Sequence, residues 1–397
     1  MKSWRRPLVL VALAALATST VAACSSSGNG GQTVLRIGTT GTVESLNPFV
    51  SDDTLSFDFY QAIYPHLVQY DLKTKKPVAD FATKWTSSAA GRKLTFTLVK
   101  NATWSDGKPL GAADVAWTID LMLKFRKGPT AAWAGAVTHM TAAKAVNPTT
   151  VEIDYDHPVA NAIALIARIP VLPQQSWAQY ATGDGKQLTK VSNAPTSSAP
   201  LVSGGPFIFF KYLKGQAAVF KTNPKYWGSK PHIDGFGVQF FGNDDAEVSA
   251  LKSNQIDLAM GNPSLPPTDV APMRKSNLRI HTEPSVSFDD LIINTNSKKT
   301  SHTELLDPAV RKAFEYATDR QQIDQRVLLG FATPGASIIP PATGSWHDSA
   351  VKPLPYSVAK ANQLLDTAGY KKGSDGIRQA DGHDMAYDLL VSPDVAG

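Results

Sequence analysis

The chain has 397 residues, with 39 Lys and Arg against 34 Asp and Glu, for a formal net charge of +5. A single cysteine excludes an intramolecular disulfide, while 43% hydrophobic residues suffice for packed cores. Residues 1–23 hold three cations and no anion, so the remainder carries only +2, and its composition gives no support to nucleic-acid binding.

Lys2, Arg5 and Arg6 precede an apolar run from Pro7 to about Ala17. The run is short for a membrane-spanning helix and fits the apolar region of a signal peptide. It ends in Val21-Ala22-Ala23-Cys24, which resembles the lipobox of bacterial lipoproteins. Cleavage there would remove residues 1–23 and leave Cys24 as a lipidated N-terminus on the outer face of the cytoplasmic membrane. A plain signal peptide with Cys24 left free is the alternative, and the surroundings of Arg5-Arg6 fit the twin-arginine route poorly. Each buried methylene of a lipid chain is worth about 0.8 kcal/mol, and two chains hold where one is marginal. Residues 24–32 are Ser/Gly-rich and suit a flexible tether.

The predicted elements follow in chain order. A first strand runs from Val34 to Gly38. Period-two alternation marks "KLTFTLV" (93–99) and "VEIDY" (151–155) as strands. Between them, Val115, Ile119, Met122 and Leu123 recur at helical spacing, predicting a helix from Ala112 to about Phe125. The apolar stretch from Ala160 to Leu172 is interrupted by Arg168 and Pro170, too broken for a membrane span. "NAPTSSAP" (193–200) reads as a joint, and "PFIFFKYLKGQAAVFK" (206–221) as a hairpin. Strands at "GFGVQFF", "IDLAM", "LRIHTEP" and "FDDLIINT" are expected, with a helix from Asp244 to Asn254 before the second. Asp307-Pro308 supplies a cap and a first-turn proline for a helix presenting Val310, Ala313, Phe314 and Ala317 on one face. Ser357 to Ala368 repeats the pattern, with Gly369 as its stop. The mixture predicts an α/β fold, and about 370 residues predict more than one domain.

No catalytic pattern emerges. The eight histidines, at 66, 139, 157, 232, 281, 302, 347 and 383, include no pair at metal-ligand spacing, so no metal site is expected from linear order. A site assembled only by the fold stays open. There is no G-x-S-x-G, Walker A or dinucleotide-binding glycine pattern. The acid pairs at 52–53, 244–245 and 289–290 read as solvated groups at element ends, because neighbours on a strand face opposite sides. Neither an enzyme nor a cofactor is expected.

Five segments in order carry a resemblance: "SLNPFVSDDTLSFDFYQAIYPHLVQYD" (45–71), "KWTSSAAGRKLTFTLVKNATWSDGKPLGAADVAWTI" (84–119), "GGPFIFFKYLKGQAAVFKTNPKYWGSKPHID" (204–234), "LIINTNSKKTSHTELLDPAVRKAFEYATDRQQI" (291–323) and "YSVAKANQLLDTAGY" (356–370). Together they resemble the family 5 extracellular solute-binding proteins, peptide- and nickel-binding lipoproteins of ABC importers. The residues also have local roles: Trp104-Ser105-Asp106-Gly107 reads as a strand end and turn, and Asn223 to Trp227 as a loop capped by aromatics.

The resemblance implies a periplasmic-binding-protein-like (type II) fold of two lobes that close on a ligand. It places the core of lobe I at 33–75 and 193–284, an inserted subdomain at 76–192, and lobe II from 285 to 397. Lobe II would be incomplete, so the chain is expected to lack groups that relatives use to fix peptide termini. The implied ligand contacts are the loop Ser51-Asp52-Asp53-Thr54, the crossover Ser285-Val286-Ser287-Phe288 as a strand-pairing edge, and Trp133 against the ligand. The implied partners are a peptide, an ABC permease with its ATPase, and the membrane through Cys24, with the protein monomeric. A nickel chelate, heme or oligosaccharide on the same scaffold is an alternative, as are a vestigial non-transporting lipoprotein and, least favoured, a hydrolase.

Overall fold

The computed structural model describes residues 33–51, 53–261, 265–276 and 278–390, and so leaves Cys24, the signal segment and Asp52 outside the described residues. The chain forms two compact units, Met1–Pro266 and Pro267–Gly397.

Period-two alternation builds the first sheet of unit 1. Lys93–Leu98 and Thr150–Tyr155 each alternate half-buried and buried side chains. They pair antiparallel, with Leu94 opposite Ile153 and Phe96 opposite Val151. Ala82–Ser88 and Met140–Asn147 complete a four-stranded sheet on either side. The predicted helix forms over Ala112–Phe125 and packs on this sheet, burying Val115, Ile119 and Met122. Each such large apolar side chain contributes about 1.5–3 kcal/mol by leaving water. The helix starts where the Gly111 N–H donates to Asp114 Oδ2 at 3.1 Å.

The second sheet has five strands. Val34–Thr39 lies between Leu258–Ala259 and Gly235–Phe240, parallel to both. The predicted hairpin, Phe207–Leu213 and Ala217–Thr222, extends the sheet antiparallel. Its aromatic face is continuous: Phe220 stacks on Phe209 and on Phe236, at 4.3 Å in each case. Helix Thr54–Ile63 covers it by placing Phe59 5.4 Å from Phe209 and 5.0 Å from Phe220.

In unit 2, helices Pro308–Ala317 and Val358–Thr367 pack together. Asp307 caps the first, accepting from the Ala309 N–H at 2.8 Å, and Ser357 caps the second, accepting from Lys360 N–H at 3.2 Å. Gly369, with φ +88°, takes the left-handed conformation that stops the second helix. The buried Arg378 side chain pairs with Asp366 at 2.7 Å and ties the small hairpin Gln379–Ala380 and His383–Asp384 to that helix.

Two expected strands are corrected. "LRIHTEP" and "FDDLIINT" (278–284 and 288–295) form no strand, and Phe288, Leu291 and Ile292 are exposed. Alternation and β-branching state which face a strand would present. They do not supply the neighbour that its N–H and C=O groups need, and among the described residues no strand pairs with either segment.

Candidate functional site

The loop 45–54 is held by its own polar side chains. Asn47 is fully buried: its amide donates to the Leu188 and Val191 carbonyls at 2.6 and 2.8 Å, and its Oδ1 accepts from Phe49 N–H at 2.9 Å. Asn193 reaches back to the Leu46 carbonyl at 2.8 Å. The sequence pointed to this loop but not to Asn47 as the staple, because its acceptors lie far along the chain.

Asp53 caps helix Thr54–Ile63. Its Oδ1 accepts from Ser56 N–H at 2.8 Å, and its Oδ2 accepts from Ser56 Oγ at 2.7 Å and from the Ser51 hydroxyl. A carboxylate at a helix start also meets the positive end of the helix dipole. Burial first, and then the charge of Asp53, raise the Asp58 carboxyl above its usual range. Ser51 is buried, whereas Thr54, the first residue of the helix, is exposed.

Trp133, which the resemblance set against the ligand, lies in the core. It is 2% exposed, its indole N–H donates to the Pro48 carbonyl at 2.6 Å, and its ring lies 5.4 Å from Phe57. The structure therefore gathers Ser51, Asp53, Thr54 and Trp133 around one loop of unit 1. Ser285 to Phe288 belong to unit 2, where all four are exposed and Ser287 N–H donates to Ser285 Oγ at 2.9 Å.

Burial dominates the titration of unit 1. His66 has no partner for Nδ1, and burial pushes its imidazole down to about 4. Burial pushes the Tyr64 phenol up to about 12. Glu247 accepts from Met260 and Gly261 N–H groups at 2.8 and 3.1 Å, yet burial still raises its carboxyl.

Two clusters of metal-ligating type escaped the linear reading because each draws one histidine from elsewhere in the chain, His139 in the first and His383 in the second. His139, Asp156 and His157 meet on the surface of unit 1. His302, Glu304 and His383 meet in unit 2 around a buried Glu304, with all ligating atoms within 4.8 Å of one another.

Residues 76–394 match the family described as bacterial extracellular solute-binding proteins, family 5 Middle. The chain belongs to this family. It is 28% identical over 391 residues to Protein XP55 of Streptomyces lividans, covering 97% of this chain and 67% of that protein. It is 26% identical over 352 residues to the nickel-binding periplasmic protein of Escherichia coli, covering 87% of this chain and 63% of that protein. The chain thus spans about two thirds of these family 5 proteins. Its fold is similar to that of the oligopeptide-binding protein AppA of Bacillus subtilis in complex with a nonapeptide: TM-score 0.69, 24% identity, 89% of this chain and 68% of that one. The fold class is that of the two-lobed, type II periplasmic binding proteins, α/β throughout.

Proposed function

We propose that this family 5 chain is the substrate-binding subunit of an ABC importer, capturing short peptides outside the cytoplasmic membrane for a permease and its ATPase. The family match over residues 76–394 carries this proposal. The peptide ligand is supported by the AppA–nonapeptide fold and by the exposed segment Ser285 to Phe288, whose backbone lies in no strand. Such a segment can hold an extended peptide by main-chain hydrogen bonds, which tolerate many side chains. The loop Ser51-Asp52-Asp53-Thr54 is the proposed contact from unit 1, with Asp53 also capping the helix that follows. The proposed inserted subdomain, 76–192, is supported by containing the whole four-stranded sheet. Cys24 is the proposed lipid anchor.

A nickel complex is the second reading, favoured by the likeness to the Escherichia coli nickel-binding protein. Native mass spectrometry and calorimetry of the chain with di- to nonapeptides, and separately with nickel–histidine, separate the two. Peptide complexes are expected. Nickel–histidine bound in stoichiometric amount without peptide would support the second reading, and binding of neither would overturn both.

A further inference from the structure

We propose that His302, Glu304 and His383 form a divalent-metal site of the Zn²⁺ type that clips two segments of unit 2 together. The site is separate from peptide capture and does not depend on it. His302 and Glu304 lie at the start of the short helical turn Thr303–Leu306, which leads into helix Pro308–Ala317. His383 opens the second strand of the hairpin beyond helix Val358–Thr367.

The Glu304 side chain is 1% exposed. Its Oε1 is occupied, accepting from the Tyr387 hydroxyl at 2.9 Å and lying 3.1 Å from His302 Nδ1. Its Oε2 has no hydrogen-bond partner, although it is buried. His383 Nε2 lies 3.5 Å from that oxygen and is likewise buried and without a hydrogen bond. Two buried atoms of complementary type thus face each other unbonded, at a separation a shared cation would explain. Zinc–nitrogen and zinc–oxygen bonds of about 2.0–2.2 Å at tetrahedral angles put neighbouring ligand atoms about 3.4 Å apart. Glu304 Oε2 and His383 Nε2, 3.5 Å apart, lie close to that value, and the His302 ligating atom lies within 4.8 Å of the ligating atoms of both.

Two imidazoles and one carboxylate form a donor set that suits Zn²⁺ and leaves a fourth position for water. Tyr387 is placed to orient the carboxylate, as outer partners of metal ligands do. The surface cluster of His139, Asp156 and His157 lacks these marks: Asp156 Oδ1 already lies 2.6 Å from His157 Nδ1 and 3.3 Å from His139 Nδ1, and all three residues are exposed.

The test treats the full chain with chelator and titrates it with ZnCl₂ by calorimetry, then follows Co²⁺ uptake by visible absorption. One equivalent should bind, Co²⁺ should give the intense bands of tetrahedral coordination, and Zn²⁺ should raise the melting temperature reversibly. His302→Asn and His383→Gln should each weaken Zn²⁺ binding about tenfold or more, while His139→Asn leaves it unchanged. The melting shift of the unaltered chain needs no variant, so a misfolded variant does not spare the proposal. Absence of that shift, or Zn²⁺ affinity unchanged in both variants, would overturn it and leave only a histidine–glutamate contact. Peptide is absent throughout, so failure here is distinct from failure of peptide capture.

Discussion

The indole N–H of Trp227 donates to the Gly204 carbonyl at 3.0 Å, and Gly204 itself lies against the buried ring of Trp104. Three short motifs distant in sequence, "WSDG", "GGPF" and "NPKYW", therefore meet in one knot of unit 1. Ser105 N–H donates to the Ser203 carbonyl at 2.8 Å, Ser203 N–H donates to Ser105 Oγ at 3.0 Å, and Asn223 donates to the Gly205 carbonyl at 2.9 Å. A Cβ on Gly204 would stand 2.9 Å from Trp104 and 3.0 Å from Leu110. Gly204→Ala should destabilise the chain by about 1–3 kcal/mol through this crowding, read as a lower urea midpoint. A midpoint equal to that of the unaltered chain would show the knot to be loosely packed.

Asp53 gives a second stability test. Its carboxylate satisfies the start of helix Thr54–Ile63 and takes two serine hydroxyls as well. Asp53→Ala should cost about 1–2 kcal/mol, at the upper end for a cap, whereas Asp53→Asn should cost only a few tenths. Equal losses for both variants in urea unfolding would mean that the charge, and not the cap, is what matters.

The sequence made the scaffold legible where local pattern and tertiary packing agree. Alternation at 93–98, the apolar stripe of 112–125 and the caps at Asp307 and Ser357 all state locally what the fold confirms. The segments 278–284 and 288–295 failed because pairing is a property of a neighbour and not of the strand itself. The setting of Trp133 was hidden for a related reason: its hydrogen bond to Pro48 spans 85 positions, which no local pattern announces. The Glu304 cluster was hidden likewise, since its histidines come from opposite ends of unit 2.

His66 should make unit 1 acid-sensitive. Its ordinary value of 6.5 applies to the unfolded chain, and burial lowers it to about 4 in the folded one. Above pH 6.5 both states are neutral and the folded state bears no cost. As pH falls from 6.5 to about 4, the unfolded chain takes the proton first, and stability falls by up to about 3 kcal/mol. Below about 4 this contribution levels off. Replacing the imidazole in His66→Leu should flatten the stability profile over that window, relative to the unaltered chain in urea titrations at stepped pH. Parallel profiles for the two proteins would assign the acid response elsewhere.

Cys24 follows the small residues Val21-Ala22-Ala23 and precedes the Ser/Gly stretch. Expressed in a bacterial host with labelled palmitate, the chain should take up label and sediment with membranes. Cys24→Ala should abolish the label and release the protein. No label on the unaltered chain would remove the anchor from the proposed function.

Limited proteolysis should find unit 2 first. The contiguous buried core, built on Phe59, Phe96, Trp104, Phe209 and Phe220 among others, lies wholly within unit 1. In unit 2 the residues from Gly330 to Pro355 include no α-helix or strand, only the short helical turn Pro341–Trp346. Phe331, Ile338 and Trp346 are 45%, 67% and 58% exposed there, so opening this stretch sacrifices little buried apolar area. A protease needs an extended stretch of backbone, and the rate of cutting follows the population of locally opened chain when reclosing is fast. Trypsin is a poor probe, since Lys352 precedes Pro353. Chymotrypsin at low ratio should therefore cut first after Phe331 or Trp346, identified by mass spectrometry of the earliest fragments. The four-stranded sheet of residues 82–155 should persist longest, because Phe96, Val151 and Ile153 sit at its centre with no exposure at all. First cuts within 82–155, with 330–355 intact, would reverse this ranking of the two units.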